Sequence, residues 1–299
     1  REALDISLLH LEKTAAIQSE SQQLQMAMTI ESCLINYLTS IGESKSSVDD
    51  VLVRALQWKG AIFARQRLMR LARETDDPVI KATLGQLQAV ASQLATLSLT
   101  VQHDPAKLDE WRQKLVDLDS ERNRLERELS AASAEYRAIR QQAKIQTADV
   151  LNVIPADAVL VDIYRYLRKS ETVNKYGVPT YGSAYCAFVI RPGGSPKLVE
   201  LGSKSEIDGQ IERWRRGFGR SLDGDLDPGL ALRKLLWEPL TAELEGVTTV
   251  LLSPEGATGT LPWAALPGSK PESYLLEEYA FVTIPVPQLL PELLRQEVH

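Results

Sequence analysis

Near residue 150 the spacing of apolar residues changes, and that change limits what the chain can fold into. From Leu4 to about Leu151, apolar side chains recur every three or four positions, the repeat of one helix face. From Ala158 onward they come instead in short β-branched and aromatic blocks. A chain of 299 residues has room for about two domains. The predicted fold class is therefore α+β in two parts: an all-α region of helical hairpins or repeats over 1–147, then an α/β sheet domain over 148–299.

In the first part, Leu24, Met26, Met28, Ile30, Leu34, Ile35 and Leu38 lie along one predicted helix, with Gly42 as its C-terminal cap. Ser46, Ser47, Asp49 and Asp50 supply capping side chains for the next, which runs to about Arg73. Asp76-Asp77-Pro78 opens another, carrying Leu84, Leu87, Val90, Leu94 and Leu97. Paired helices of this length occur at the end of helical-repeat arrays, although no clean repeat of about 34 residues is present. After Asp104-Pro105, a stripe of Trp111, Leu115, Leu118, Leu125, Leu129, Ala132, Tyr136 and Ile139 follows heptad spacing. It serves either a partner chain in a coiled coil or a hairpin packed on the preceding helices, and the second is favoured because a neighbouring helix is at hand.

In the second part, Thr147–Val153 predicts a short helix ended by Pro155, and Ala158–Tyr164 a strand. Residues 169–182 are polar and contain glycines, and read as a loop. Ala184–Ile190 and Lys197–Leu201 flank Arg191-Pro192-Gly193-Gly194-Ser195-Pro196 as a β-hairpin. Helices are expected from Ser203 to about Phe218 and from Pro228 to Leu244. Val247–Leu252 is almost free of charge, which suits a strand buried on both faces. Ser253-Pro254-Glu255-Gly256 stops it, and Leu261–Leu266 predicts a short helix. Tyr279–Pro285 is a further strand, and Pro287 to about Gln296 the last helix.

The order of these pieces resembles the first half of a CHAT domain, the caspase-like domain often found after tetratricopeptide repeats in bacteria. The residues that carry the likeness are Asp-Ile-Tyr (162–164), Tyr-Cys-Ala-Phe-Val-Ile (185–190), Leu-Leu-Trp-Glu-Pro-Leu (235–240), Leu-Leu-Ser-Pro-Glu-Gly (251–256), Leu-Pro-Trp-Ala-Ala-Leu-Pro (261–267) and Tyr-Leu-Leu-Glu-Glu-Tyr-Ala (274–280). It covers roughly 145–298, and the helical residues 50–145 resemble the segment that commonly precedes that domain. The resemblance implies a cysteine endopeptidase with a His/Cys dyad, acting on a protein substrate and activated through the helical region by a protein partner. Such chemistry needs a thiolate, an imidazole to move the proton, and backbone N–H groups for the oxyanion. The family's His before Gly and its Ser-Ala-Cys are both missing, so no catalytic residue can be assigned. The expectation is a dyad-lacking front portion of a longer protein, cut at both ends. The alternative is a non-enzymatic helical adaptor or pseudo-protease.

Individual residues add little chemistry. Cys186 lies mid-strand and Cys33 on an apolar helix face, so both read as structural thiols. His10, His103 and His299 are scattered and show no metal-ligand spacing, and no Cys-x-x-Cys pair occurs. No metal site and no cofactor are expected. Gly256–Thr260 follows a strand as a phosphate loop would, but lacks the Lys that ends one. Gly217-Phe218-Gly219-Arg220 follows no strand and is not a dinucleotide fingerprint. Glu277 and Glu278 are adjacent, which in a strand sends them to opposite faces. Arg213, Arg215, Arg216 and Arg220 form the densest basic patch and the candidate partner contact, against the simpler reading of a solvated helix face. The net charge of −6 gives no general attraction to nucleic acid, which is expected to be involved only indirectly if at all, or to membranes. Two distant cysteines, no signal peptide and no apolar run of about 18–20 residues point to a cytoplasmic protein.

Overall fold

The computed structural model describes residues 32–39, 47–99, 104–173, 176–217 and 227–294. Among the described residues, helices dominate before residue 152 and a five-stranded mixed sheet follows, so the fold is α+β in two parts. The chain divides into two compact units: residues 1–34 with 58–144, and 35–57 with 145–299.

The helical unit is built on α1 (Val48–Glu74), whose later turns belong to it, α2 (Pro78–Leu99), α3 (Leu108–Ala132) and α4 (Ala134–Gln142). Asp77 Oδ1 accepts from the Val79 N–H at 2.8 Å and so caps α2, while Pro78 sits at a position whose missing N–H costs little. Ala64, Leu71, Leu84, Leu129, Tyr136 and Ile139 form the core. The indole N–H of Trp111 reaches the Leu97 carbonyl at 3.3 Å, joining α3 to α2. The stripe from Trp111 to Ile139 therefore packs within the hairpin. It is not one helix, however. Ser133 is extended (φ −121, ψ 116) and its Oγ accepts from the Tyr136 N–H, which ends α3 and caps α4.

The sheet unit opens with α5 (Thr147–Leu151) and has the strand order β3-β2-β1-β4-β5, with β1 Ala158–Val173, β2 Pro179–Ile190, β3 Lys197–Ser203, β4 Thr249–Ser253 and β5 Ala280–Thr283. β1, β2 and β3 are antiparallel neighbours, whereas β4 runs parallel to both β1 and β5. On one face Val159, Val161, Ile163, Tyr185, Ala187, Val189, Val250 and Leu252 meet Ile207, Ile211 and Trp214 of α6 (Lys204–Arg216) and Leu232, Leu236, Trp237 and Leu240. Trp237 packs edge-on against Tyr279, with ring centroids 5.2 Å apart. The other face carries Leu160, Asp162, Tyr164, Cys186, Phe188, Leu251 and Ser253, all buried. Two contacts from residues 35–57 belong to this unit: the Leu167 N–H donates to Thr39 Oγ1 at 2.9 Å, and the Gln288 amide donates to the Leu56 carbonyl. Burial on both faces explains why Thr249–Ser253 has so little charge.

Four expectations need correction. Residues 169–182 are not a plain loop, because β1 and β2 continue through most of them as a two-stranded arm. The predicted helix from Pro228 to Leu244 is α-helical only over α7 (Pro228–Leu232), then π-helical over Arg233–Trp237 and 3₁₀ over Glu238–Glu243. Pro239 removes a backbone donor and crowds the carbonyl four residues back, so a straight α-helix cannot pass it. Leu261–Leu266 forms only a 3₁₀ turn, Trp263–Ala265, bracketed by Pro262 and Pro267. The final helix is likewise a 3₁₀ turn, Pro287–Leu289, leading into α8 (Leu290–Leu293). The N-terminal helix pattern before residue 32 and the Gly42 cap lie outside the described residues.

Candidate functional site

In sheets with parallel strands, ligands usually bind beyond the strands' carboxyl ends, which makes the end of β4 the first place to look. Ser253 ends β4, stands in register with Asp162 of β1, and is fully buried with it. The turn after it closes on itself. Thr258 Oγ1 accepts from the Glu255 N–H at 3.0 Å and donates to the Glu255 carbonyl at 2.7 Å. The indole N–H of Trp263 then donates to the Thr258 carbonyl at 3.0 Å. Gly256 takes φ +59, and a side chain there would start 2.8 Å from the Tyr185 hydroxyl. That hydroxyl donates to Asp208 Oδ1 at 3.0 Å, and Lys204 pairs with the other oxygen of the same carboxylate. The turn thus lies against the Tyr185 hydroxyl, which itself ties β2 to α6. Its hydroxyl and carbonyl groups are engaged internally, which is the behaviour of a brace rather than of a phosphate cradle.

On the face of Asp162 and Ser253, away from Tyr185, the Tyr164 hydroxyl donates to Asp162 Oδ2 at 2.7 Å. Burial, and then the neighbouring Asp162 carboxylate, push the Tyr164 hydroxyl well above its ordinary value. Cys186 sits beside them, its Sγ directed at the Tyr164 carbonyl at 3.7 Å. Burial raises its thiol strongly, and the carboxylates of Glu255, Glu200 and Asp162 add to the effect. A nucleophilic cysteine needs a thiolate. Cys186 is buried away from solvent, and that burial disfavours its thiolate. Cys33 is half-buried.

The candidate partner contact is placed only in part. Arg213, Arg215 and Arg216 are exposed on the last turn of α6, around the buried Trp214. Arg216 Nε pairs with Glu212 at 3.0 Å, while Arg220 lies outside the described residues. His10, His103 and His299 also lie outside them. Glu277 and Glu278 are not in a strand. Each carboxylate instead caps a nearby backbone N–H, that of Tyr274 at 2.9 Å and that of Ser269 respectively. Among the described residues no three His, Cys, Asp or Glu side chains gather as metal ligands, and no helix is long and apolar enough to cross a membrane.

Two groupings were missed from sequence: Asp162 with Tyr164, and Tyr185 with Lys204 and Asp208. Asp162 had a signal, since it is the one carboxylate in the otherwise uncharged run Ala158–Tyr164. Tyr185 and Asp208 are 23 positions apart and had none.

No curated protein and no solved structure matches the chain. A family model does: the CHAT domain, over residues 226–299, the stretch that holds α7, β4, the Glu255–Thr260 turn and β5. Residues 226–299 are thus similar to part of a CHAT domain, with the helical lead-in and the first three strands preceding the matched residues.

Proposed function

We propose that this chain is the dyad-lacking front portion of a bacterial CHAT-type cysteine endopeptidase. It scaffolds the protease sheet and couples the binding of a protein partner at the helical region to proteolytic activation. The observation that carries the reading is the match over 226–299 together with the place of β4, an interior strand with parallel neighbours on both sides. The nucleophile and base are sought outside this chain, because neither the family's His before Gly nor its Ser-Ala-Cys occurs in it. Arg213, Arg215 and Arg216 are the proposed contact for an acidic regulator. The test is peptide hydrolysis by the gene product extended past residue 299, with single Cys→Ala variants. Thiol-dependent cleavage that survives Cys33→Ala and Cys186→Ala is the expected result. Loss of cleavage in a correctly folded Cys186→Ala variant would place the nucleophile in this chain. Absence of any His/Cys pair downstream would favour the non-enzymatic adaptor.

A further inference from the structure

The β1–β2 arm is the least explained part of the sheet unit. β4 pairs with β1 only as far as Asp162, and β3 pairs with β2 only from Ala184 on. Beyond those limits β1 and β2 form a ribbon of two strands. A ribbon of this kind is marginal in water unless something holds it or covers it. Here hydroxyls hold it. Thr172 Oγ1 and Thr180 Oγ1 meet across the strands at 2.9 Å, Thr180 Oγ1 also reaches the Thr172 carbonyl at 3.0 Å, and Ser170 Oγ lies 2.8 Å from Thr172 Oγ1.

The arm nevertheless exposes apolar side chains. Val173 is 59% exposed, Tyr176 77%, Val178 53% and Tyr181 47%. Twelve large hydrophobic residues are exposed among those described, and these four fall within nine positions of one another. Scattered exposure is ordinary, but a cluster on a projecting element is what an interaction surface shows. Its charge is unlike that of the chain. The arm's strands, 165–173 and 179–183, carry Arg165, Arg168 and Lys169 against the single carboxylate Glu171, in a protein of net charge −6. Arg168 and Lys169 are exposed, and Lys169 stands in register with Tyr181.

We infer that the β1–β2 arm is a docking element for a polypeptide segment that interleaves carboxylates with apolar side chains. The cations meet the carboxylates, and Val173, Tyr176, Val178 and Tyr181 take the apolar groups. A single-stranded nucleic acid fits less well, since Val173 and Val178 offer no ring for a base to stack on. The hydroxyl links order the arm in advance, which lowers the entropy lost on binding.

The test is selection of random displayed peptides of about twelve residues on the whole chain, counter-selected on Arg168→Glu/Lys169→Glu and on Tyr176→Ser/Val178→Thr. These positions lie outside the core, and an unchanged melting curve verifies the fold of each variant. Expected is a set of peptides rich in Asp, Glu and large apolar residues. They should bind at least about tenfold more weakly to each variant and lose affinity with added salt. Arm-dependent peptides without acidic excess, or none that distinguish the variants, would overturn the inference. So would tighter arm-dependent binding of a fluorescent oligothymidylate, which would assign the arm to nucleic acid. Protease activity is not read in this experiment, so its failure leaves the proposed function standing.

Discussion

The hydroxyl of Tyr185 sits 2.8 Å from the point where a side chain on Gly256 would begin, and donates to Asp208 at 3.0 Å. One oxygen thus locks α6 to β2 and leaves room for nothing larger than glycine in the turn after β4. Gly256 also needs its positive φ of +59, a region that costs other residues about 1–2 kcal/mol. Gly256→Ala is expected to lower stability by at least that amount. In Tyr185→Phe the clash is relieved but the hydrogen bond is lost, so the two changes combine non-additively. A double-mutant cycle from denaturant unfolding checks this; simple additivity would mean that the two residues are independent.

Thr258 is fully buried, and its hydroxyl both accepts and donates within the turn. Thr258→Val keeps the shape and removes the oxygen that accepts from the Glu255 N–H, at a cost of about 1–3 kcal/mol. Thr258→Ser keeps the oxygen and should retain most of the stability. The comparison of the two melting curves carries the prediction; equal losses would show that the methyl group matters and the hydroxyl does not.

Native thiol labelling should distinguish the two cysteines. Cys33 is half-buried, whereas Cys186 is enclosed between strands with its thiol raised by burial. Iodoacetamide at pH 8 is expected to alkylate Cys33 first and Cys186 only after unfolding, as read by peptide mass. Rapid native alkylation of Cys186 would contradict its placement.

Alkaline conditions should destabilise the protein. Burial first, and nearby carboxylates second, hold Tyr164 and Tyr185 above the ordinary tyrosine value of 10.0, and burial pushes Tyr136 up to about 12. Cys186 is likewise held above its ordinary 9.0. The unfolded chain loses these protons at the ordinary values while the folded chain keeps them. Their contribution is therefore complete below pH 9 and falls as pH rises, first through the thiol and then, above pH 10, through the tyrosines. Melting temperatures taken from pH 8 to 11 should decline steadily, and less steeply above pH 10 in Tyr136→Phe. A rise over that interval would reverse the sign of the argument.

Where burial shaped the sequence, the sequence reported the fold. Val250, Leu251 and Leu252 are apolar because both faces of β4 are covered, and the strand was legible for that reason. The outer part of β1 was not, because an exposed ribbon has no buried face to impose alternation, and its pairing rests on backbone and threonine hydroxyls. The break at Ser133 was hidden because the apolar spacing stays in phase across it, from Leu129 to Tyr136. Pro239 was a readable warning against a straight helix over Pro228–Leu244. Tyr185 meets Asp208 and the Gly256 turn from positions far away in the chain, and no local pattern encodes those contacts.

The mixed sheet favours one order of assembly. β1, β2 and β3 follow one another through short turns and can pair locally, at little cost in loop entropy. β4 must wait for them, because its partner is β1: the Thr248 hydroxyl meets Asp157 Oδ2 at 2.6 Å across 91 positions of chain. The residues that match the CHAT domain, 226–299, therefore pair with a template they do not contain. Cut away from residues 158–203, β4 and β5 would be left as a parallel pair with an uncovered edge, prone to pairing with other chains. The unit that can fold is therefore larger than the stretch 226–299, and any excised fragment has to keep the meander of β1, β2 and β3.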